Sequence, residues 1–308
     1  MKPVLIDTHC HIHDRDTYNF ALSRQQISEK FLKKHPDAAV SPEDFEPEKI
    51  IMRAHQNGVM QMICVGTSHE DSLFARDFAK KYRGDGIFWS YGIHPDEADR
   101  VVGQNISISD RLRPTGSKPS ESAPITMGRA ERVAEEMFAP LPVAIGEVGL
   151  DYREGAPRPG VAGKNNQIKL FENMLQLAQD QNLPVIFHVR DAFEDFFAVI
   201  KNFPKITGVV HSFSDSPENL KRALDAGFYI GVNGLATFAS EIPLPPTERM
   251  LLETDAPFLT PRPFRGKINE PAHIKDICAY ISATLGLTES EVEGRTTENA
   301  RRLFRLTH

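Results

Sequence analysis

Short apolar runs, separated by amphipathic stretches, recur along the whole chain. β-branched and aliphatic residues cluster at Val4–Ile12, Met60–Thr67, Ile87–Pro95, Val143–Tyr152, Pro184–Ala192, Thr207–Ser214, Gly227–Gly234 and Arg249–Ala256, which predicts eight strands. Several runs, such as Val143–Gly146 and Pro184–Phe187, are nearly continuous, as suits strands buried on both faces. The intervening segments carry helical periodicity. Asn165–Gln181 places Ile168, Leu170, Phe171, Met174, Leu175, Leu177 and Ala178 on one broad face. Pro217–Ala226 follows Asp215-Ser216, an N-cap signal, and reaches a small-residue stop at Gly227. Strand and helix in alternation imply parallel strands with right-handed crossovers. Eight such units predict an α/β fold, a (β/α)₈ TIM barrel. An open doubly wound sheet is the competing architecture, but neither a GxGxxG nor a P-loop signature is present.

Two stretches break the repeat. His13–Pro47 follows the first strand and holds a helical segment at Tyr18–His35 with a Pro/Asp/Glu-rich tail. Gly103–Arg129 follows the third and reads as a Ser/Pro/Gly/Thr-rich loop. Both read as insertions in βα loops on the catalytic face, as lids, substrate selectors or tolerated surface additions. Without them the chain approaches the usual barrel length of about 250 residues. Pro257–Pro271 is a proline-rich loop, and helices at Ala272–Leu285 and Ser290–Phe304 close the chain. All 308 residues are expected to form one barrel domain.

Composition adds exclusions. Apolar residues make up 40% and charged residues 25%, ordinary for a globular chain with a large core. No apolar run approaches the roughly 18 residues of a membrane helix. The start, Met1-Lys2-Pro3 then Val4-Leu5-Ile6 then Asp7, is too short in apolar residues for a secretory signal. The three cysteines, Cys10, Cys64 and Cys278, form no CxxC pair and read as free buried thiols in a reducing compartment, so a cytoplasmic location is expected. Cys10 lies between two histidines but faces the other side of its strand. A net charge of −6 weighs mildly against nucleic acid, although bound divalent metals can reverse the sign locally.

The chemistry sits at the strand ends. In Asp7-Thr8-His9-Cys10-His11, period-two alternation puts His9 and His11 on one face, together with Asp7. Two imidazoles so placed are a ready metal chelate. His94 ends the third strand, Glu147 and Asp151 the fourth, His188 the fifth, His211 the sixth and Asp255 the eighth. In a barrel these ends converge on one mouth. His9, His11, Glu147, His188, His211 and Asp255 are six candidate ligands, too many for one tetrahedral site. Two divalent ions sharing Glu147 is the economical arrangement. Imidazole and carboxylate donors suit zinc, manganese, iron or nickel better than magnesium. Such a pair activates a water and stabilises attacking and leaving oxygens, with Asp255 accepting the proton. Arg190, on the face of His188, either clamps a substrate oxyanion or pairs with Glu147, Asp151 or Glu253. Asp151, Glu253 and Asn233 are expected to orient the ligands. Gly231 and Gly234 are expected to permit close backbone approach. His69 is placed near substrate, and His13, His35, His55, His273 and His308 on the surface.

These motifs resemble the TatD-like metal-dependent deoxyribonuclease family of the amidohydrolase superfamily, from residue 4 to about 305. The matching stretches are DTHCHI, GIHP, IGEVGLDY, PVIFHVRDA, HSFS, GFYIGVNG and LLETDAPFLTP, followed by Arg265 and Asn269-Glu270-Pro271. The resemblance implies a TIM barrel with one ion on His9, His11, Glu147 and Asp255, and a second on Glu147, His188 and His211. It places His94 near the scissile phosphate. It implies hydrolysis of DNA phosphodiesters at single strands or ends, often as a 3′→5′ exonuclease and often with magnesium. The two insertions depart from the pattern and bear on substrate class. Asp215, where the family usually has glycine, is a second departure and matters little. The competing functions are hydrolysis of a C–N or carboxyl-ester bond, as in aminoacyl-tRNA deacylation, and non-catalytic binding on a barrel scaffold. The fourth strand lacks the inward lysine of many amidohydrolases, which favours a nuclease over the first of these, and the complete ligand set argues against the second. Neither a membrane nor an obligate protein partner is indicated.

Overall fold

A computed structural model describes residues 4–24, 41–102, 140–153 and 163–307. Eight strands form one parallel sheet in sequential order: β1 Leu5–Cys10, β2 Val59–Val65, β3 Ile87–Tyr91, β4 Ala144–Asp151, β5 Val185–Arg190, β6 Gly208–Val210, β7 Tyr229–Val232 and β8 Met250–Leu252. β8 returns to β1 through a parallel bridge between Cys10 and Ala256, flanked by Asp255 N–H to His9 O at 2.8 Å and His11 N–H to Ala256 O at 2.8 Å. The sheet thereby closes into the expected TIM barrel, and each expected strand is present.

The outer helices are α1 Arg15–Arg24, α2 Pro47–Gln56, α3 His69–Lys81, α4 Ala98–Val102, α5 Lys164–Gln181, α6 Phe193–Ile200, α7 Pro217–Asp225, α8 Ile274–Leu285 and α9 Glu289–Phe304. Their starts follow ordinary chemistry. Ser216 accepts from Asn219 N–H at the head of α7, and Thr288 and Glu291 form a capping box on α9. One expected helix is absent. The β7–β8 connection has only 3₁₀ turns, at Gly234–Thr237 and Thr247–Arg249. Pro243, Pro245 and Pro246 fall where a crossover helix would run, and each lacks the N–H a helix needs. Of the first insertion, the described part holds α1 and a 3₁₀ turn at Pro42–Phe45, so the expected helix is present as far as Arg24. The rest of that segment with His35, the Gly103–Arg129 stretch and His308 lie outside the described residues.

Alternation along the strands sorts two cores. Ile6, Ile63, Val65, Ala144, Ile186, Val209, Tyr229 and Leu251 fill the barrel, and Ala300, Leu303 and Phe304 of α9 stop its amino-terminal end. Leu5, Met62, Trp89, Ile145, Val185, Phe187, Val210 and Leu252 pack outward in the layer beneath the helices. Two residues beyond an interior apolar group, the same face carries a titratable one: His188 after Ile186, His211 after Val209, Glu253 and then Asp255 after Leu251.

Candidate metal centre

These strand ends deliver four histidines and a glutamate to one point. Glu147 is buried at the centre. Its Oε1 lies 2.6 Å from His188 Nδ1 and 2.8 Å from His211 Nε2, and its Oε2 lies 3.6 Å from His9 Nε2. Asp255 Oδ1 is 3.5 Å from His9 Nε2 and 3.4 Å from His11 Nε2. Two donor groups follow, His9–His11–Glu147 and Glu147–His188–His211, each with ligand atoms within 4.8 Å of one another. His94–Asp151–His188 and His9–His211–Glu253 meet the same measure.

The outer nitrogens fix which atom of each ring faces the centre. His11 Nδ1 bonds Val65 O at 3.0 Å, leaving Nε2 inward. His188 Nε2 is 3.1 Å from Asp151 Oδ2, leaving Nδ1 inward. Glu253 stands behind His211, with Oε1 3.8 Å from its Nδ1, and accepts from Ser212 N–H at 2.5 Å and Asn233 Nδ2–H at 3.3 Å. Asn233 Oδ1 also accepts from Leu235 N–H at 3.0 Å, so one side chain ties the β7 turn to Glu253. At Gly231 a Cβ would lie 2.2 Å from Glu253 Oε2, so a side chain there would displace that carboxylate. At Gly234 a Cβ would lie 2.0 Å from Leu259 O. Asp255 adopts a left-handed backbone, φ 57°, uncommon outside glycine and tolerated by aspartate.

The electrostatics show strong coupling. Burial opposes ionisation of Glu147, but His211 and His188 outweigh it and hold the carboxyl well below its usual range. Burial likewise disfavours charge on His188, yet Asp151 and Glu147 raise it to about 10. Burial and the neighbouring His211 instead push His9 well below its ordinary value. Burial raises Glu253 to about 7.

A divalent cation fits this donor set. His9 Nε2 and His11 Nε2 face each other at 3.3 Å, and His188 Nδ1 and His211 Nε2 at 3.2 Å. Ring nitrogens this close share either a proton or a cation, and the Glu147 and Asp255 carboxylates beside them complete the imidazole–carboxylate set that a divalent cation takes. His9 Nδ1, His211 Nδ1 and Glu253 Oε2, on the far side of this donor set, are buried with no hydrogen-bond partner among the described residues.

Two expectations need correction. Asp7 does not share the face of His9. Its carboxylate accepts from Thr254 N–H at 3.0 Å, Thr254 Oγ–H at 2.5 Å and His9 N–H at 3.2 Å. The β1–β2 register shifts between Asp7 and Cys10, so simple alternation fails across that step. His13 is not a surface residue. Its side chain is buried and pairs with Asp71 at 3.0 Å, and the continuing His9-Cys10-His11-Ile12-His13 alternation was the available signal. Other placements agree. Cys10 faces away, its Sγ 3.4 Å from Ile63 O, and His94 stands at the mouth, its Nε2 3.9 Å from Glu147 Oε1. Arg190 is exposed at the rim and forms none of the three ion pairs considered for it. His69, at the head of α3, lies with Nδ1 3.1 Å from the Tyr91 hydroxyl.

An α/β barrel whose mouth gathers this donor set defines the class: a metal-dependent hydrolase. The chain belongs to the TatD related DNase family, whose model matches residues 6–305. It is 32% identical over 272 residues to the uncharacterized metal-dependent hydrolase YabD of Bacillus subtilis, covering 85% of this chain and 94% of that one. It is 33% identical over 274 residues to the 3′-5′ ssDNA/RNA exonuclease TatD of Erwinia billingiae, covering 84% and 93%. The crystal structure of the TatD homolog YjjV from Escherichia coli superposes with a TM-score of 0.70 at 25% identity over 100% of both chains. Among the described residues no helix is long and apolar enough to cross a membrane.

Proposed function

We propose that the chain hydrolyses phosphodiester bonds of nucleic acid, DNA single strands or ends in particular, with two divalent ions at the barrel mouth. The carrying observation is the division of the Glu147 carboxylate, Oε2 toward His9 and Oε1 toward His188 and His211. In this reading His9, His11, Glu147 and Asp255 hold one ion, and Glu147, His188 and His211 the other. The imidazole-rich shell favours zinc, manganese or nickel over magnesium for tight binding. Such ions act as Lewis acids on a phosphoryl oxygen and lower the pKa of a water.

The remaining work falls to the chain. Asp255 accepts the proton of the attacking water. His94 Nδ1 accepts from Asp96 N–H at 3.2 Å, so its Nε2 carries a hydrogen that faces the mouth and donates to a non-bridging phosphate oxygen. Burial and His188 push His94 down to about 4, which keeps it a neutral donor at pH 7. Arg190, exposed and unpaired among the described residues, meets phosphate charge at the rim. Asp151, Glu253 and Asn233 orient the donors. The described barrel and the segments outside it act as one hydrolase unit, and the free buried cysteines suit the cytoplasm.

Metal-loaded protein is incubated with labelled single-stranded DNA and RNA, and with a panel of carboxyl esters and amides. Release of mononucleotides, reduced at least a hundredfold in Asp255→Asn, is expected. Ester or amide turnover without nucleotide release contradicts the proposal.

A further inference from the structure

A second site lies beside the metal centre. Directly beyond Asp255 the chain runs through Pro257 and Phe258 into a loop that, with α1, encloses a groove of about 650 Å³. Among the described residues four cations line it, Arg24, Arg262, Arg265 and Lys267, and no carboxylate does. The Arg and Lys ion pairs of the described residues all involve other cations. A basic groove with no ion pair among the described residues contrasts with the chain's net charge of −6. Rings interleave with the charges. The Arg24 guanidinium lies 4.7 Å from the Phe20 ring centre, and those of Arg262 and Arg265 lie 5.7 and 5.5 Å from that of Phe238. Phe20 is 51% and Phe258 38% exposed, so both offer a ring surface to an incoming group.

We propose that this groove is a subsite for single-stranded polynucleotide, holding the part of the strand that flanks the scissile bond. Arginine and lysine take the phosphates, and the exposed phenylalanines take unstacked bases. A duplex keeps its base faces buried against one another and has none to offer these rings, so the site selects single strands. The volume lies within the roughly 300–1,000 Å³ of small-molecule sites and suits nucleotide-sized groups. Phe20 and Arg24 belong to the segment inserted after β1, which thereby forms one wall of a substrate track. This inference rests on the nuclease reading and extends it from the reacting bond to the strand beside it.

The test uses metal-loaded protein and a fluorescent oligo-dT with phosphorothioate linkages that resist hydrolysis, read by anisotropy. Phe20→Ala is expected to weaken binding roughly tenfold. The pair Arg24→Gln and Arg262→Gln is expected to weaken it further and to flatten the plot of log Kd against log salt by about 0.7 per removed cation. A blunt duplex of the same length should compete poorly. Turnover of a small chromogenic phosphodiester, too short to enter the groove, should be unchanged in all variants, which also reports intact folding. Wild-type affinity and salt slope in the variants, or no binding by the wild type, overturns the subsite. Failure of the wild type to cleave both the small diester and DNA overturns the nuclease reading instead, whatever the groove binds.

Discussion

At the residue scale the centre is an arrangement of competing proton acceptors. Glu147, held ionised by two imidazoles, occupies the point where both donor groups overlap. His9, His11, His188, His211, Glu147 and Asp255 were legible in the sequence because strand alternation and barrel convergence act on each independently. Asp7 and His13 were not, for opposite reasons. A register shift in β1 turns Asp7 onto Thr254, and His13 is buried by Asp71, a helix residue 58 positions away. A histidine remote from the centre supplies a pH test. His273 stacks on Phe264 with ring centres 4.2 Å apart and lies with Nδ1 2.8 Å from Asn269 Oδ1. Burial first, then Lys267 and Arg53, lowers it to about 4 from 6.5. Both states are neutral above pH 6.5, and below it the unfolded chain takes up the proton first. This contribution is therefore complete at neutral pH and is lost as pH falls toward 4. Metal-free wild type should lose about 1 kcal/mol more between pH 7 and pH 5 than His273→Gln, after discounting the partial exposure of the ring. Urea unfolding at the two pH values measures it, and parallel losses refute it.

At the scale of elements, propensity and pattern agree nearly everywhere. The strands lie where apolar runs predict them, and α5, α7, α8 and α9 begin within two residues of expectation. The β7–β8 connection is the exception, because three prolines deny it a crossover helix that the repeat alone predicts. α9 stands out in another way, since its Ala300, Leu303 and Phe304 fill the end of the barrel opposite the mouth. Its start depends on a local device, the Thr288 hydroxyl accepting from Glu291 N–H at 3.2 Å while the Glu291 carboxylate accepts from Thr288 N–H at 2.9 Å. Thr288→Ala should cost about 1 kcal/mol of unfolding free energy, visible as a lower midpoint at unchanged denaturant slope. The cap is exposed and distant from the centre, so hydrolysis should be unaffected below the midpoint. Unchanged stability would show that packing of α9, rather than its cap, sets the helix start.

At the scale of the whole molecule, the barrel supplies a rigid ring of strand ends, and the loops above it supply the surroundings of the site. The cluster of candidate ligands could be read from the chain because its parts share one geometric rule. The basic groove could not, because α1 and the loop after β8 are more than 230 positions apart and no period relates them. The proposed hydrolysis depends on two cation sites that share Glu147. Anomalous diffraction from crystals grown with manganese or zinc tests it most directly. Two peaks are expected, one between His9, His11 and Asp255 and one between His188 and His211, with the Glu147 carboxylate separating them, and both should be lost in Glu147→Ala. A single peak, or a pair remote from Glu147, contradicts it.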